Sequence, residues 1–413
     1  MLRWSILSES PSSCAAKGYA SIKKIPKQVR DDTRSYNMTI AVIYGGRSGE
    51  HEVSLISAAA IASGISKEHK VILIGITKAG KWYLQPDSEY ERICKDTKAV
   101  LTITEDESKA VTIVPAGKKN AFLAGGKPLD IDLVFPALHG TYGEDGTIQG
   151  LFEMADIPYV GCTPLASAIT MDKEKTKLIW QSVGLPVVPY VCIKRSVVLD
   201  SIVYDSVIEE TEKELGYPMF VKPCCAGSSN GASKAKDRKE LNFAIMEAFA
   251  WDDKVLVEKS LDGAREIECS VTGNSVSFPP DSDVEEVTAY IPGEIKPNHD
   301  FYDFDAKYND PDGANLIIPA ELSENDLEKI RKTACAAYKV LDATGLSRVD
   351  FFIDRNSKQV YLNEINTLPG FTPISMFPKM CNAAGLKFEE LVELLIKEAL
   401  ARYEAHGKLN TSR

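Results

Sequence analysis

No apolar run in the 413 residues is long enough to cross a bilayer, so a helical membrane span is not expected. No Cys-x-x-Cys pair and no Cys/His zinc spacing occurs. The nine cysteines are scattered, with only Cys224 and Cys225 as close neighbours, which points to reduced thiols in a cytosol-like compartment. Positive charge is in deficit: the formal net charge is −11, which argues against nonspecific nucleic-acid binding. An acidic total still leaves room for a basic nucleotide pocket. G-x-G-x-x-G and the Walker loop are both absent, so neither standard phosphate fingerprint applies. No internal repeat is evident.

What is present is ordinary for a soluble globular chain, 44% hydrophobic and 26% charged. Its length calls for about two or three domains. Residues 1–37 are rich in Ser, Lys and Arg, with Glu9, Asp31 and Asp32 as their acids. They lack an apolar core of the secretory kind. They read as a transit peptide, a disordered extension, or residues upstream of a start at Met38, which immediately precedes a clean strand.

Thr39 to Tyr44 is an apolar strand, and Gly45-Gly46-Arg47-Ser48-Gly49-Glu50 turns it into a helix over Val53 to Ile65. Strand, glycine turn and helix open a doubly wound α/β unit with a parallel sheet. Glu50 lies at the helix mouth, either as a charge complementing the helix dipole or as an anchor for a cationic amine. Val71 to Ile76 is the next strand. Trp82 to Ala116 shows weak strand signals and no nameable chemistry. Ile131 to Ala137 is a buried strand ending at His139, where ligands gather in such sheets; a structural His is the equal alternative. A helix begins over Gln149 to Met154, and Pro158 to Gly161 reads as a short strand before a boundary near Gly161.

Asp172-Lys173 opens a helix through Trp180, Leu185 to Cys192 is extended, and Leu199 to Leu215 is mostly helical. Pro218 to Lys222 is a strand. The small-residue loop Pro223 to Gly231 follows, able to close backbone N–H groups over phosphates, and then a second strand. Lys254 to Lys259 and Ala264 to Val271 are further strands. Gly293 to Tyr308 reads as a long loop with aromatics clustered in Phe301 to Tyr308, a lid rather than disorder. Ser323 caps a helix running to Thr344. Val349 to Ile353 and Gln359 to Ile365 form a hairpin, and Phe388 to Tyr403 is a closing amphipathic helix. Strand alternation points Glu364 and Asn366 the same way, with Asp350 on the partner strand and Arg348 two residues before it. Two carboxylates and an amide oxygen are hard ligands suited to Mg²⁺ carrying nucleotide phosphates.

Several long motifs stand in one order: Gly45 to Ser54, Leu138 to Gly150, Met171-Asp172-Lys173, Lys222 to Gly231, Phe301 to Tyr308, and Arg348 to Met376. Together they make the chain, over about Met38 to Ala401, resemble the D-alanine–D-alanine ligases of the ATP-grasp superfamily. The resemblance implies an N-terminal α/β domain over 38–161, a central ATP-grasp lobe over 162–257 and a C-terminal lobe over 258–405. It implies an enzyme that uses ATP to activate one D-alanine as an acyl phosphate and joins it to a second, for peptidoglycan precursors. Mg²⁺ or Mn²⁺, as two ions, would sit on Asp350, Glu364 and Asn366. The resemblance assigns Lys173, Lys222 and Lys307 to phosphates, Glu258, Lys259 and Leu261 to adenine, and Glu266 to ribose. Arg348 and the Gly370 N–H would stabilise the oxyanion. Glu50 would hold the first D-alanine's ammonium near His139, with Ser228 and Tyr308 bonded to Glu50. Ser375 and Met376 would meet the second substrate's carboxylate. A cytoplasmic homodimer through the first domain, without nucleic-acid or membrane partners, completes the expectation. Ala226, Asn230 and Phe304 depart from common family residues. Tyr308 is retained, which favours dipeptide over D-Ala-D-lactate synthesis.

Overall fold

The computed structural model describes residues 37–96, 98–276, 287–297 and 314–410. Its first unit is a sheet of order β3-β2-β1-β7, with β1 (Thr39–Gly45) parallel to both β2 (Lys70–Ile76) and β7 (Leu133–Ala137). These strands are continuous apolar runs, as expected where helices cover both faces of a parallel sheet. Helix α1 (His51–Gly64) follows the glycine turn, one residue or two earlier than the sequence pattern suggests. β3 (Trp82–Leu84) closes one edge, and a small sheet of β4 (Val111–Ile113), β5 (Phe122–Ala124) and β6 (Lys127–Pro128) lies beside it.

Two antiparallel lobes follow. The first has order β10-β9-β11-β8, from β8 (Tyr190–Lys194), β9 (Met219–Pro223), β10 (Ser233–Ala235) and β11 (Lys254–Lys259). One face of this sheet, with Ile193, Val221 and Val255, packs against Ile208, Leu241 and Ile245. The second lobe has order β15-β14-β12-β16-β17, with β13 (Val287–Ala289) paired to β12. It comprises β12 (Arg265–Asn274), β14 (Gly293–Pro297), β15 (Ala314–Ile317), β16 (Thr344–Ile353) and β17 (Val360–Asn366).

Several sequence expectations need correction. Trp82 to Ala116 contains a helix, α2 (Asp87–Lys95), in which Glu89 and Ile93 are the buried residues, so no apolar stripe announces it. Pro158 to Gly161 is not a strand; only Tyr159 bridges to Val134. Arg195–Leu199 is a 3-10 turn, and α6 (Ser201–Leu215) starts after it, capped by Asp200. Helix α3 (Thr147–Ala155) starts two residues before Gln149, and an unforeseen α4 (Pro164–Met171) precedes α5 (Lys173–Ser182). Between α6 and β11 a further helix, α7 (Arg238–Ala248), was also unforeseen. Helix α8 (Glu324–Lys339) is capped by Ser323 as expected but ends well before Thr344, which opens β16 instead. Gly293–Pro297 is a strand, so that end of the expected loop is paired; Phe301 to Tyr308 lies outside the described residues.

The last helices knit the units together. Trp180 of α5 is fully buried in the core of the second lobe, and its indole N–H donates to Ala337 O at 3.1 Å. After α9 (Met376–Ala383), helix α10 (Phe388–His406) returns to the first unit, where Leu391, Val392 and Leu395 join the core with Ile40 and Val42.

Candidate active site

A cleft of about 1170 Å³ opens where the first unit and the two lobes meet. Its lining includes Glu50, His139, Lys173, Lys222, Ser228, Glu258, Lys259, Leu261, Glu266, Arg348, Asp350, Glu364, Asn366 and Gly370. Most residues singled out from sequence therefore converge. Lys307, Tyr308 and the departure at Phe304 lie outside the described residues, so their placement is not part of the structure.

β16 and β17 build the acidic wall. Arg348 pairs with Asn366 and Asp350 with Glu364 across the ladder, as alternation requires. The Arg348 guanidinium grips Asp350 with two bonds, Nε to Oδ1 at 2.7 Å and Nη2 to Oδ2 at 2.6 Å. Its Nε also lies 3.1 Å from Glu268 Oε1 on β12. Burial opposes the charge on Arg348, but Asp350 and Glu268 outweigh it and hold the group well above its usual range. Asn366 Nδ2 donates to Asp350 Oδ2 at 3.1 Å.

No metal belongs to the structure, so its fit is judged from the donors. Among the described residues no three His, Cys, Asp or Glu side chains form a metal cluster. Asp350, Glu364 and the amide of Asn366 sit on adjacent paired positions and carry oxygen donors of the kind that Mg²⁺ and Mn²⁺ accept, with both Asp350 oxygens here engaged by Arg348.

The ladder carries a bulge that alternation alone cannot show. Phe351 faces Leu362 while Asp350 faces Glu364, which leaves Asn363 as an extra residue. The bulge lets neighbouring Asn363 and Glu364 both line the cleft. Asn363 Oδ1 accepts from Lys222 Nζ at 3.0 Å.

The opposite wall is cationic. Lys173 opens α5, whose N-cap Asp172 accepts from Lys175 N–H. Lys173 Nζ donates to Ala226 O at 2.8 Å and lies 3.5 Å from Glu364 Oε2. Burial works against its charge, yet Glu364 raises its pKa above the usual lysine value. Behind it a buried triad forms. Glu258 sits between Lys177 at 2.8 Å and Lys222 at 2.9 Å, with Lys177 fully buried. Burial alone would raise the Glu258 carboxyl; the two lysines hold it below its ordinary value. Burial lowers Lys177, which Glu258 only partly offsets.

The adenine assignment is thus qualified in detail. The Glu258 side chain is spent on lysines, and its backbone lies in β11, paired to β9 and β8. The Lys259 N–H already donates to Pro189 O at 3.0 Å.

Glu50 reaches the cleft from the first unit. It occupies the N-cap position of α1 but makes no side-chain cap bond, so the helix-charge alternative lacks its usual geometry. Its carboxylate instead accepts a short hydrogen bond from Ser228 Oγ. Ser228 and Ser229 both have positive φ, a strained turn that aims the small-residue loop at Glu50. Gly140 leaves space for this: with φ at +69°, an added Cβ would stand 2.6 Å from Glu50 Oε2.

His139 is 5% exposed, and both ring nitrogens are engaged. Nδ1 lies 3.0 Å from Leu368 O and Nε2 lies 3.0 Å from Ser57 Oγ. Burial disfavours a charged ring, but Glu144, 3.7 Å from Nδ1, raises its pKa above the usual value. Ser375 Oγ accepts from Thr372 N–H at 3.0 Å and shares a hydrogen bond with Thr372 Oγ1 at 2.8 Å. The Met376 side chain packs with Ile295 and Met380, so what it offers a carboxylate is its backbone N–H in the first turn of α9. Ala226 contributes its carbonyl to Lys173, and Asn230 Nδ2 donates to Gly227 O at 3.1 Å, so both departures make contacts at the small-residue loop.

Sequence reasoning missed Lys177, Asn363, Glu268 and Ser57. Lys177 stands one helical turn from Lys173 and Glu268 two strand residues from Glu266, so spacing could have found them. The bulge hid Asn363, and the contacts of Ser57 are long-range.

A parallel-sheet domain set against two antiparallel lobes, closing on lysines that face paired carboxylates, is the architecture of the ATP-grasp ligases. The comparisons narrow the class. The model of the D-ala D-ala ligase N-terminus matches residues 39–162, and that of the D-ala D-ala ligase C-terminus matches residues 179–397. A D-alanine–D-alanine ligase of Treponema denticola is 55% identical over 377 residues, covering 91% of this chain and all of that protein. Among solved structures, the D-alanine-D-alanine ligase of Coxiella burnetii superimposes with a TM-score of 0.74 at 32% identity, covering 90% of this chain and 96% of that one. The VanG D-Ala:D-Ser ligase of Enterococcus faecalis gives 0.74 at 36% identity, covering 88% and 100%. The chain belongs to the D-alanine–D-alanine ligase family.

Proposed function

We propose that this protein joins two D-alanines to D-Ala-D-Ala at the cost of ATP, releasing ADP and phosphate, as a step in making peptidoglycan precursors. The observation that carries the reading is the meeting of two chemistries in one cleft. A carboxylate, Glu50, is braced by Ser228 where an ammonium can be held. Lys173 and Lys222 line the same cleft with Arg348, Asp350 and Glu364, which suit a transferring phosphoryl group.

In this reading Glu50 binds the first D-alanine's ammonium and so points its carboxylate at the γ-phosphate of ATP. Lys173, Lys222 and Lys307 contact the phosphates, Glu258, Lys259 and Leu261 flank adenine, and Glu266 takes the ribose. Phosphoryl transfer depends on positioning and charge neutralisation more than on covalent help. Mg²⁺ or Mn²⁺, held as two ions by Asp350, Glu364 and Asn366, would neutralise phosphate charge. The transfer converts a poor electrophile into an acyl phosphate. The second D-alanine, its carboxylate at Ser375 Oγ and the Met376 N–H, attacks the acyl carbon with its amine. The amine's proton goes to the departing phosphate as the C–O bond to it breaks, and Arg348 with the Gly370 N–H stabilises the oxyanion between. Tyr308 would close the lid through Glu50. The three domains at 38–161, 162–257 and 258–405, a homodimer through the first, and a cytoplasmic site of action belong to the same proposal. Among the described residues no helix is long and apolar enough to cross a membrane.

Glu50→Gln tests it. The ammonium loses its counter-charge while the nucleotide site is untouched, so KM for D-alanine should rise roughly 100-fold, the scale of a lost charge-assisted bond. ATP affinity, read by titration calorimetry, should stay within about two-fold, since the glutamine amide oxygen still accepts from Ser228 and the lysines are unchanged. An unchanged D-alanine KM would remove Glu50 from the substrate site.

A further inference from the structure

We propose that Ser57 is a positioning residue for this reaction, holding the Leu368–Phe371 turn, and with it the Gly370 N–H, from the first domain. The inference rests on the ligase reading, which gives Gly370 its role. Ser57 lies on α1 and is fully buried. One turn earlier Ser54 accepts from Gly45 N–H at 2.7 Å and donates to Ala137 O, so this face of α1 already ties down the ends of β1 and β7.

The protons on Ser57 can be assigned. Phe371 N–H lies 3.2 Å from Ser57 Oγ and can only donate to it. In the neutral ring Nδ1 must donate to the Leu368 carbonyl, so His139 Nε2 accepts the Ser57 hydroxyl proton from 3.0 Å; in the charged ring Nε2 donates to the same oxygen instead. In either state Nδ1 carries a proton and donates it to Leu368 O at 3.0 Å. The relay starts and ends on the same turn. The Phe371 N–H and the Leu368 carbonyl flank Pro369 and Gly370, so both sides of the oxyanion donor are fixed by side chains from another domain. Gly370 lines the cleft with Arg348. His139 thereby acts through the turn as well as beside the substrate.

Removing the hydroxyl leaves two buried polar groups, the Phe371 N–H and His139 Nε2, without partners, and the turn can satisfy them only by shifting. An oxyanion donor displaced by a fraction of an ångström loses catalysis while distant binding contacts persist. A merely structural serine would lower the melting temperature and leave kcat and loop exchange alone.

The test compares Ser57→Ala and Ser57→Thr with the parent chain, measuring kcat, KM for ATP, and amide hydrogen exchange at Phe371. Ser57→Ala should lose about 10- to 100-fold in kcat with KM for ATP within about two-fold, and exchange at Phe371 should quicken at least about ten-fold. Ser57→Thr, which keeps the hydroxyl, should restore both. Should the alanine variant fail to fold, Ser57→Cys fills the same space with a poor hydrogen-bonding group and should move both readouts in the same direction. Parental kcat and parental Phe371 protection in Ser57→Ala would overturn the proposal. A parent chain without D-alanine-dependent turnover would instead overturn the ligase reading, and the exchange arm alone would then decide whether Ser57 anchors the turn.

Discussion

Glu258 is the residue on which the cationic wall depends. Its carboxylate is buried between Lys177 and Lys222, and among the described residues no other acid forms an ion pair with Lys177. Buried charges cost several kcal/mol to desolvate, so removing one partner is far more damaging than never having built the pair. Glu258→Gln should therefore destabilise the fold by about 3–5 kcal/mol in urea unfolding and weaken ATP binding through the misplaced Lys222. A variant as stable as the parent would show that the triad is not charged in the native state. This residue also marks a limit of sequence reading. Resemblance supplied Glu258 as an adenine neighbour, but nothing in the pattern showed its side chain turned onto two lysines. Glu50 went the other way: local chemistry left two roles open, and Ser228, 178 residues distant, bears on the choice.

At the scale of elements, the β16–β17 hairpin was the most legible part of the chain. Its apolar and polar residues alternate, and alternation is what places Asp350, Glu364 and Asn366 on one face. The bulge at Asn363 was not legible, because one extra residue leaves the local composition unchanged. It adds an amide oxygen that fixes Lys222 at 3.0 Å. Asn363→Ala should raise KM for ATP by roughly ten-fold, the equivalent of one charge-assisted hydrogen bond of about 1.4 kcal/mol, with D-alanine KM unaffected. An unchanged ATP KM would mean that Glu258 alone orients Lys222. Helix α2 escaped notice for a related reason. Its apolar contact with the core is short, Ile93 with Tyr90 beside it, and Glu89 adds a carboxylate that accepts from Arg92 and from Thr102 N–H.

For the whole molecule, α10 is the clasp between first unit and second lobe. Arg402 donates to Tyr159 O at 2.8 Å and to Thr344 Oγ1 at 2.9 Å, and also bonds Gly161 O. Glu398 lies one turn away, partly buried, with its carboxylate Oε2 enclosed. Burial pushes its carboxyl up to about 8, against the Gly273 N–H and Arg402, which pull it down. The folded state thus keeps a proton that the unfolded chain releases near its ordinary value of 4.5. Stability from this group is complete below pH 4.5 and declines as pH rises toward 8, by up to about 1.4 kcal/mol per unit. Melting temperature should fall between pH 5 and pH 8, and Glu398→Gln should flatten that fall. An equal slope in the variant would assign the pH dependence elsewhere. The clasp could not be read from α10 alone, since its partners lie 58 to 243 residues earlier.

The central claim, that the cleft activates one D-alanine for attack by another, is tested most directly by phosphate release from Mg-ATP, with products resolved by mass. Parallel reactions would contain D-alanine, L-alanine, D-alanine with D-lactate, and D-alanine with D-serine. The account predicts phosphate release that needs D-alanine, is silent with L-alanine, and yields D-Ala-D-Ala as the main product even when D-lactate or D-serine is present. A chain that binds ATP yet releases no phosphate with D-alanine, or forms no dipeptide, would contradict it.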